Sequence, residues 1–230
     1  MNKLFKINDY ELLSQKVYRI LKKGIIIGDF KPGEKILEVK IAEQLGVSRT
    51  PIREALRELV AGGFVEMSPN QGMIVSNISI EDIREVLQIR VVLEGLTARL
   101  AAKLINREEI KELEKFLKQM EYYINKDDVL TFIKMDAKFH ELILNVCGNN
   151  WLIQMRKNLS DQTHRYKMSS RSLSIPGRLK YLREEHREIV EALKRKDSEQ
   201  ADRLSQKHIE NMLENILTQE GKEEDKNKDA

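Results

Sequence analysis

The chain holds a single cysteine, Cys147, among 230 residues. That excludes an internal disulfide framework and a zinc site built from cysteines, and it points to a reducing compartment, the cytoplasm. Four prolines and an aromatic fraction of 6% leave little of the material that punctuates and fills an all-β fold. No stretch approaches the ~20 apolar residues needed to span a bilayer, and no N-terminal basic segment leads into an apolar run of signal-peptide length. A soluble, cytoplasmic protein with no membrane partner is expected.

What the chain does have is charge on helix-forming residues. Charged residues make up 33% of it, and Leu, Ile, Glu, Lys and Arg suit amphipathic helices. Its length favours two compact domains. The formal charge of +3 is uneven: residues 1–78 hold 12 Lys and Arg against 9 Asp and Glu, whereas residues 79–230 hold 28 of each. An N-terminal basic excess is compatible with nucleic-acid binding but does not demand it.

Apolar periodicity predicts a mainly α protein. Leu12, Leu13, Val17, Ile20, Leu21 and Ile25 place a first helix from about Asp9 to the Gly28–Gly33 turn. A short helix at 38–45 and another at 48–61 flank Gly46, as in a helix-turn-helix. Two apolar segments, 64–67 and 73–75, enclose Ser68-Pro69-Asn70-Gln71-Gly72 and read as a two-stranded wing. Beyond Ser79, six helices are expected at about 80–105, 108–125, 128–147, 150–170, 177–195 and 198–218, forming an antiparallel bundle. The domains are thus 1–77, 78–219 and a charged tail, 220–230, expected to be disordered.

In the third helix Ile52, Ala55, Leu56, Leu59 and Val60 form one stripe, while Arg49, Arg53 and Arg57 form another at i, i+4, i+8. Ser48 can cap the helix, and Pro51 is tolerated in its first turn. The helix N-terminus with Ser48 and Thr50 can meet phosphates, and arginine can read guanine in the major groove. Equally, the arginines could pair with Glu54 and Glu58 on a solvated face. The run Lys31-Pro32-Gly33-Glu34-Lys35-Ile36-Leu37, then Ile41-Ala42-Glu43-Gln44-Leu45-Gly46-Val47-Ser48-Arg49-Thr50-Pro51-Ile52-Arg53-Glu54-Ala55-Leu56, then the glycine wing tip, resembles the DNA-binding domain of the GntR family. The resemblance implies that Ser48, Arg49, Thr50 and Arg53 contact operator DNA and that Gly72 lets the wing enter the minor groove. Lys40 is a further candidate phosphate contact.

Three of the four histidines, His140, His186 and His208, lie on apolar helix faces, and Asp136 precedes His140 by one turn. Asp136 and His140 share a face at i, i+4. His186 and His208 stand about equally far from the Lys196-Asp197 turn, hence at one height of a hairpin. Each histidine alone reads as a core residue. Together with the aspartate they suit one divalent transition metal, Zn first, with Ni, Mn or Fe as further candidates, and coordination positions remain for a ligand. Asp136-Ala137-Lys138-Phe139-His140, Glu185-His186-Arg187-Glu188-Ile189 and His208 resemble the FCD domain of FadR-type GntR regulators. That resemblance implies a metal site of these four residues, a small carboxylic acid as effector, a homodimer, and a regulator, a repressor in the leading reading.

Arg90 and Arg165 are candidate effector-binding residues. For Arg90 an ion pair with Glu94 one turn on is the alternative. A helical-bundle metalloenzyme is the rival function, but the Glu-x-x-His pairs of di-iron bundles are missing, since Ala137, Arg183 and Ser205 stand three before the histidines. No His-Glu-x-x-His motif, phosphate loop or nucleophile elbow occurs either. A purely structural metal is the third reading.

Overall fold

The structure, a computed structural model, describes residues 12–169 and 177–228, with side chains described to residue 168 and from 177 to 218. Two compact units divide between Asn77 and Ile78.

The N-terminal unit comprises α1 (Leu13–Ile27), α2 (Glu38–Leu45), α3 (Arg49–Ala61), β1 (Val65–Ser68) and β2 (Gly72–Val75). Val17, Leu21 and Ile25 recur every four residues on α1 and are buried with Ile52, Leu56 and Leu59 of α3. Residues 1–11, including the expected helix start at Asp9, lie outside the described residues. Gly28 ends α1 at φ 85°, and Gly46 ends α2 at φ 65°. Both adopt the left-handed conformation that glycine enters without a Cβ penalty. The wing is antiparallel, pairing Val65 with Val75 and Ser68 with Gly72. One addition was not expected from sequence. Residues 33–36 lie along β2 with a bridge from Lys35 to Ile74, Ile36 N–H donating to Met73 C=O at 2.9 Å and Gly33 N–H to Val75 C=O at 2.8 Å. Four residues after a Pro-Gly turn are too few to show a strand's alternation.

The second unit is six helices among the described residues: α4 (Ile80–Leu104), α5 (Arg107–Asn125), α6 (Val129–Val146), α7 (Asn150–Ser169), α8 (Arg178–Lys194) and α9 (Ser198–Lys228). Starts are chemically marked. Ser79 with Asp82 and Asn106 with Glu109 form reciprocal capping boxes, and Asp128 accepts from the Thr131 N–H. The break expected at Ser174-Ile175-Pro176 lies outside the described residues, and Gly177 enters α8 at φ 80°. The last helix is a correction: α9 continues to Lys228 instead of ending near 218 before a disordered tail, and residues 229 and 230 lie outside the described residues. Residues 219–228 are rich in Glu and Lys, both strong helix formers, and lone Gly221 costs a helix only about 1 kcal/mol.

α4 packs along α9, α5 against α6 and α8, and α8 against α9. The larger core gathers Leu113, Met120, Phe132, Phe139, Ile189 and Leu193, while Ile83, Leu87, Ile209 and Met212 form a second cluster between α4 and α9. These layers bring α4, α6, α7, α8 and α9 around one polar interior. Leu113 is wholly buried on α5. Leu113→Ala is expected to lower unfolding stability by about 2–5 kcal/mol through lost burial and a residual cavity, read as a lower urea midpoint at unchanged slope.

Candidate metal centre and nucleic-acid interface

Asp136 and His140 come from α6, His186 from α8 and His208 from α9. One ligand atom from each lies within 4.8 Å of all the others. His186 Nε2 faces His140 Nε2 at 3.2 Å, and Asp136 Oδ1 lies 3.3 Å from the former and 3.6 Å from the latter. The His208 ring centre is 4.6 Å from that of His186 and 5.1 Å from that of His140. His186 and His208 are almost fully buried, as is Asp136.

The surroundings fix which atoms point inward. His140 Nδ1 is 3.1 Å from Glu94 Oε1, and His208 Nδ1 is 2.7 Å from Glu185 Oε2. A neutral imidazole that donates its Nδ1–H to a carboxylate presents the Nε2 lone pair on its other edge, the arrangement that orients metal-ligating histidines. Asn211 Nδ2 donates to the second Glu185 oxygen at 2.9 Å. Asp136 Oδ1, by contrast, has no hydrogen-bond partner among the described residues. A buried carboxylate oxygen without a donor, beside two imidazole nitrogens turned toward each other, calls for a cation or a shared proton. The donor set of three nitrogens and one oxygen fits a Zn-type ion.

Charge around the cluster is heavily biased. Burial opposes ionisation of Glu94, yet Arg156 and Arg90 outweigh it and hold its pKa well below the carboxylate range. Asp136 is likewise buried, and Lys167, whose Nζ sits 2.7 Å from Oδ2, with the histidines holds it well below its usual value. Burial pushes His186 down to about 3 and also lowers His208, where Glu185 only partly offsets it. At His140 burial is overcome by Asp136 and Glu94, which raise its pKa.

The two effector candidates are both buried. Arg90 Nη2 donates to Glu94 Oε1 at 3.1 Å, the ion pair that was its alternative reading, and Arg156 meets the other Glu94 oxygen. Arg165 lies buried on α7, where desolvation lowers its pKa. Lys167, Glu94 and Glu185 contact the four donors directly, and none was singled out for that role from sequence.

In the N-terminal unit, Ser48, Arg49, Thr50 and Arg53 occupy the exposed start of α3, and Lys40 is exposed on α2. Ser48 stands at the cap position but makes no capping hydrogen bond with its side chain, contrary to expectation. The arginines do not pair with Glu54 or Glu58. Instead Glu38 of α2 accepts from Arg49 Nη2 at 2.9 Å and from Arg53 Nε at 2.8 Å. Arg53 chiefly, then Arg49, hold the Glu38 pKa down. Gly72 opens β2 at φ 77°, and a Cβ there would touch nothing. The backbone conformation, rather than crowding, is what selects glycine at the wing tip.

Residues 13–75 match the gntR family of bacterial regulatory proteins, and residues 85–211 match the FCD domain. The chain belongs to the GntR family. The HTH-type transcriptional regulator YdhC of Bacillus subtilis is 35% identical to this GntR protein over 211 residues, 90% of this chain and 92% of its own. The transcriptional repressor RspR of Escherichia coli is 28% identical over 92% of each chain. Among solved structures, E. coli McbR/YncC superposes with a TM-score of 0.78 at 26% identity, covering 91% of this chain and 99% of its own. This GntR chain is therefore a transcription regulator with a DNA-binding helix-turn-helix and an FCD domain, and not an enzyme. No described helix is long and apolar enough to cross a membrane.

The buried imidazoles set a pH response for the metal-free protein. His186 and His208 are held neutral when folded, so unfolded chains take up protons first as pH falls below the usual 6.5. His140, with a raised pKa, acts in the opposite direction. With two groups against one, the melting temperature is expected to fall between about pH 6.5 and 4, and His186→Gln to shallow that fall. A profile unaltered by the substitution would contradict the buried neutral assignment.

Proposed function

We propose that this regulator is a homodimeric repressor whose operator affinity is set by a small carboxylic acid bound at a metal held by Asp136, His140, His186 and His208. The observation that carries this reading is the facing pair of imidazole nitrogens beside the partnerless oxygen of Asp136. A divalent ion of the Zn, Ni, Mn or Fe kind would supply a Lewis-acid position able to anchor a carboxylate. Glu94 and Glu185 would keep His140 and His208 turned inward. Among the described residues of this unit, five buried cations (Arg90, Arg156, Arg165, Lys167 and Arg178) stand against two buried carboxylates, Glu94 and Asp136. A dry interior with that imbalance favours an anionic guest.

At the other end of the chain, Ser48, Arg49, Thr50 and Arg53 would engage operator DNA, with Gly72 carrying the wing and Lys40 reaching a phosphate. Glu38 shapes that surface by holding both guanidiniums side by side. The same grip must loosen or share its arginines when they turn to bases, so the arginines are stored for use rather than spent on the helix's own face. A homodimer would place two such surfaces on a two-fold-related site.

A purely structural ion is the second reading, and the burial of Asp136, His186 and His208 favours it. The two part in one experiment. Coupling is reciprocal, so a sensed acid changes operator affinity by the factor by which operator changes acid affinity. Acid titration that leaves operator binding of metal-loaded protein untouched would establish the structural role.

Two measurements test the assignments directly. His186→Ala is expected to lose most of the bound metal, quantified by elemental analysis of purified protein, and equal content would remove the site. Arg53→Ala is expected to weaken operator binding by about 10- to 100-fold, the range for losing one good base contact, with unchanged affinity and sequence preference counting against the interface.

A further inference from the structure

Beside the donor cluster lies a small cavity lined by Thr163, Lys167, Arg178, Leu182, Met212 and Asn215. Two cations share its wall, and both are more than nine-tenths buried. They are tied to the metal donors from opposite sides. Lys167 Nζ bonds Asp136 Oδ2 at 2.7 Å, while Arg178 Nη1 lies 3.7 Å from Glu185 Oε1, whose other oxygen holds His208. Arg178 Nη2 has no hydrogen-bond partner among the described residues. A guanidinium carries five donors in a fixed fork that matches a carboxylate or phosphate. Leaving one of its nitrogens buried and unbonded is costly unless something else supplies the acceptor.

Among the described residues, the two carboxylates paired with these cations are already engaged. Glu185 is engaged by His208 and Asn211, and Asp136 Oδ2 by Lys167. Arg90 and Arg156 share Glu94, whereas Lys167 and Arg178 face carboxylates that other groups already engage. Thr163 and Asn215 add neutral polar groups at the same wall. The cavity volume is about 10 Å³, the space of one water. An acidic group entering there replaces water and moves the long, unbranched side chains of Lys167, Arg178 and Met212.

We infer that Lys167 and Arg178 form a second anion subsite, so that the effector is a small acid with two acidic groups, one directed to the metal and one to this pair. This inference rests on the acid-sensing reading above and adds a requirement to it. A monoacid satisfies the metal alone and leaves Arg178 as it stands. A diacid also gives Arg178 Nη2 its missing acceptor and separates two like charges that face one cavity.

The test uses the full-length, zinc-loaded protein and two matched series by calorimetry at constant pH and ionic strength. One holds acetate, propionate and butyrate, and the other malonate, succinate and glutarate, with bound zinc assayed afterwards so that chelation is recognised. At least one diacid is expected to bind about tenfold or more tighter than its monoacid counterpart, as for a hydrogen-bonded charge pair. Arg178→Met is expected to erase that advantage, the diacid losing more affinity than its matched monoacid on protein assayed for bound zinc, and Arg178→Lys to restore part of it. No advantage for any diacid, or an advantage that survives Arg178→Met, overturns the subsite while monoacid binding keeps the acid-sensing reading alive. Failure of both series to bind zinc-loaded protein overturns the two together. The wild-type comparison needs no variant, so a poorly folding substitution does not blunt the result.

Discussion

Two imidazole nitrogens 3.2 Å apart, inside a helical bundle and with an ionised carboxylate oxygen beside them, are the constraint on which the second unit depends. Unless a proton or a cation is shared between them, two lone pairs at that distance repel, and the dry surroundings remove the water that would relieve them. Much of the bundle's unusual interior follows. Glu94 and Glu185 sit behind two of the rings, Lys167 behind the aspartate, and Arg90 and Arg156 behind Glu94, so that charge is answered by charge in successive layers. Such layering is costly to build by stability alone, since well-packed apolar residues of the same volume would serve as well or better.

The N-terminal unit solves a different problem with the same economy. An exposed arginine pair on a short helix would sample many rotamers, and one carboxylate from the preceding helix gathers both. Exposed pairs of this sort contribute little to folding. Their effect is to limit where the guanidiniums can be.

Much of this was legible in the chain itself because helices advertise their spacing. Asp136 and His140 one turn apart, and His186 and His208 equidistant from Lys196-Asp197, each read as a pair, and the FCD resemblance joined the two pairs. The third helix's stripes separated its buried and exposed faces in the same way, except at Val60, which was read as packed and is exposed. What escaped reading was the second layer. Lys167 and Arg156 sit on α7, whose buried positions include Arg156, Thr163, Arg165 and Lys167, so polarity there predicts exposure and is wrong. Glu38 was unreadable because its partners are 11 and 15 residues away, a separation set by a turn's geometry and not by periodicity. The end of α9 failed for another reason: a charged, core-free segment reads as disordered by composition although its residues individually favour helix.

The α8–α9 connection, where Lys196 takes φ 56° before Asp197 starts the next helix, holds His208 in phase with His186. Adding or deleting one residue there would rotate every side chain of α9 by about 100° relative to α8 and swing His208 out of the donor group while leaving both helices intact. Indel tolerance at this corner is therefore decided by side chains about three helical turns away, and a natural variant of altered length there would be a bundle that still folds with its fourth donor turned elsewhere.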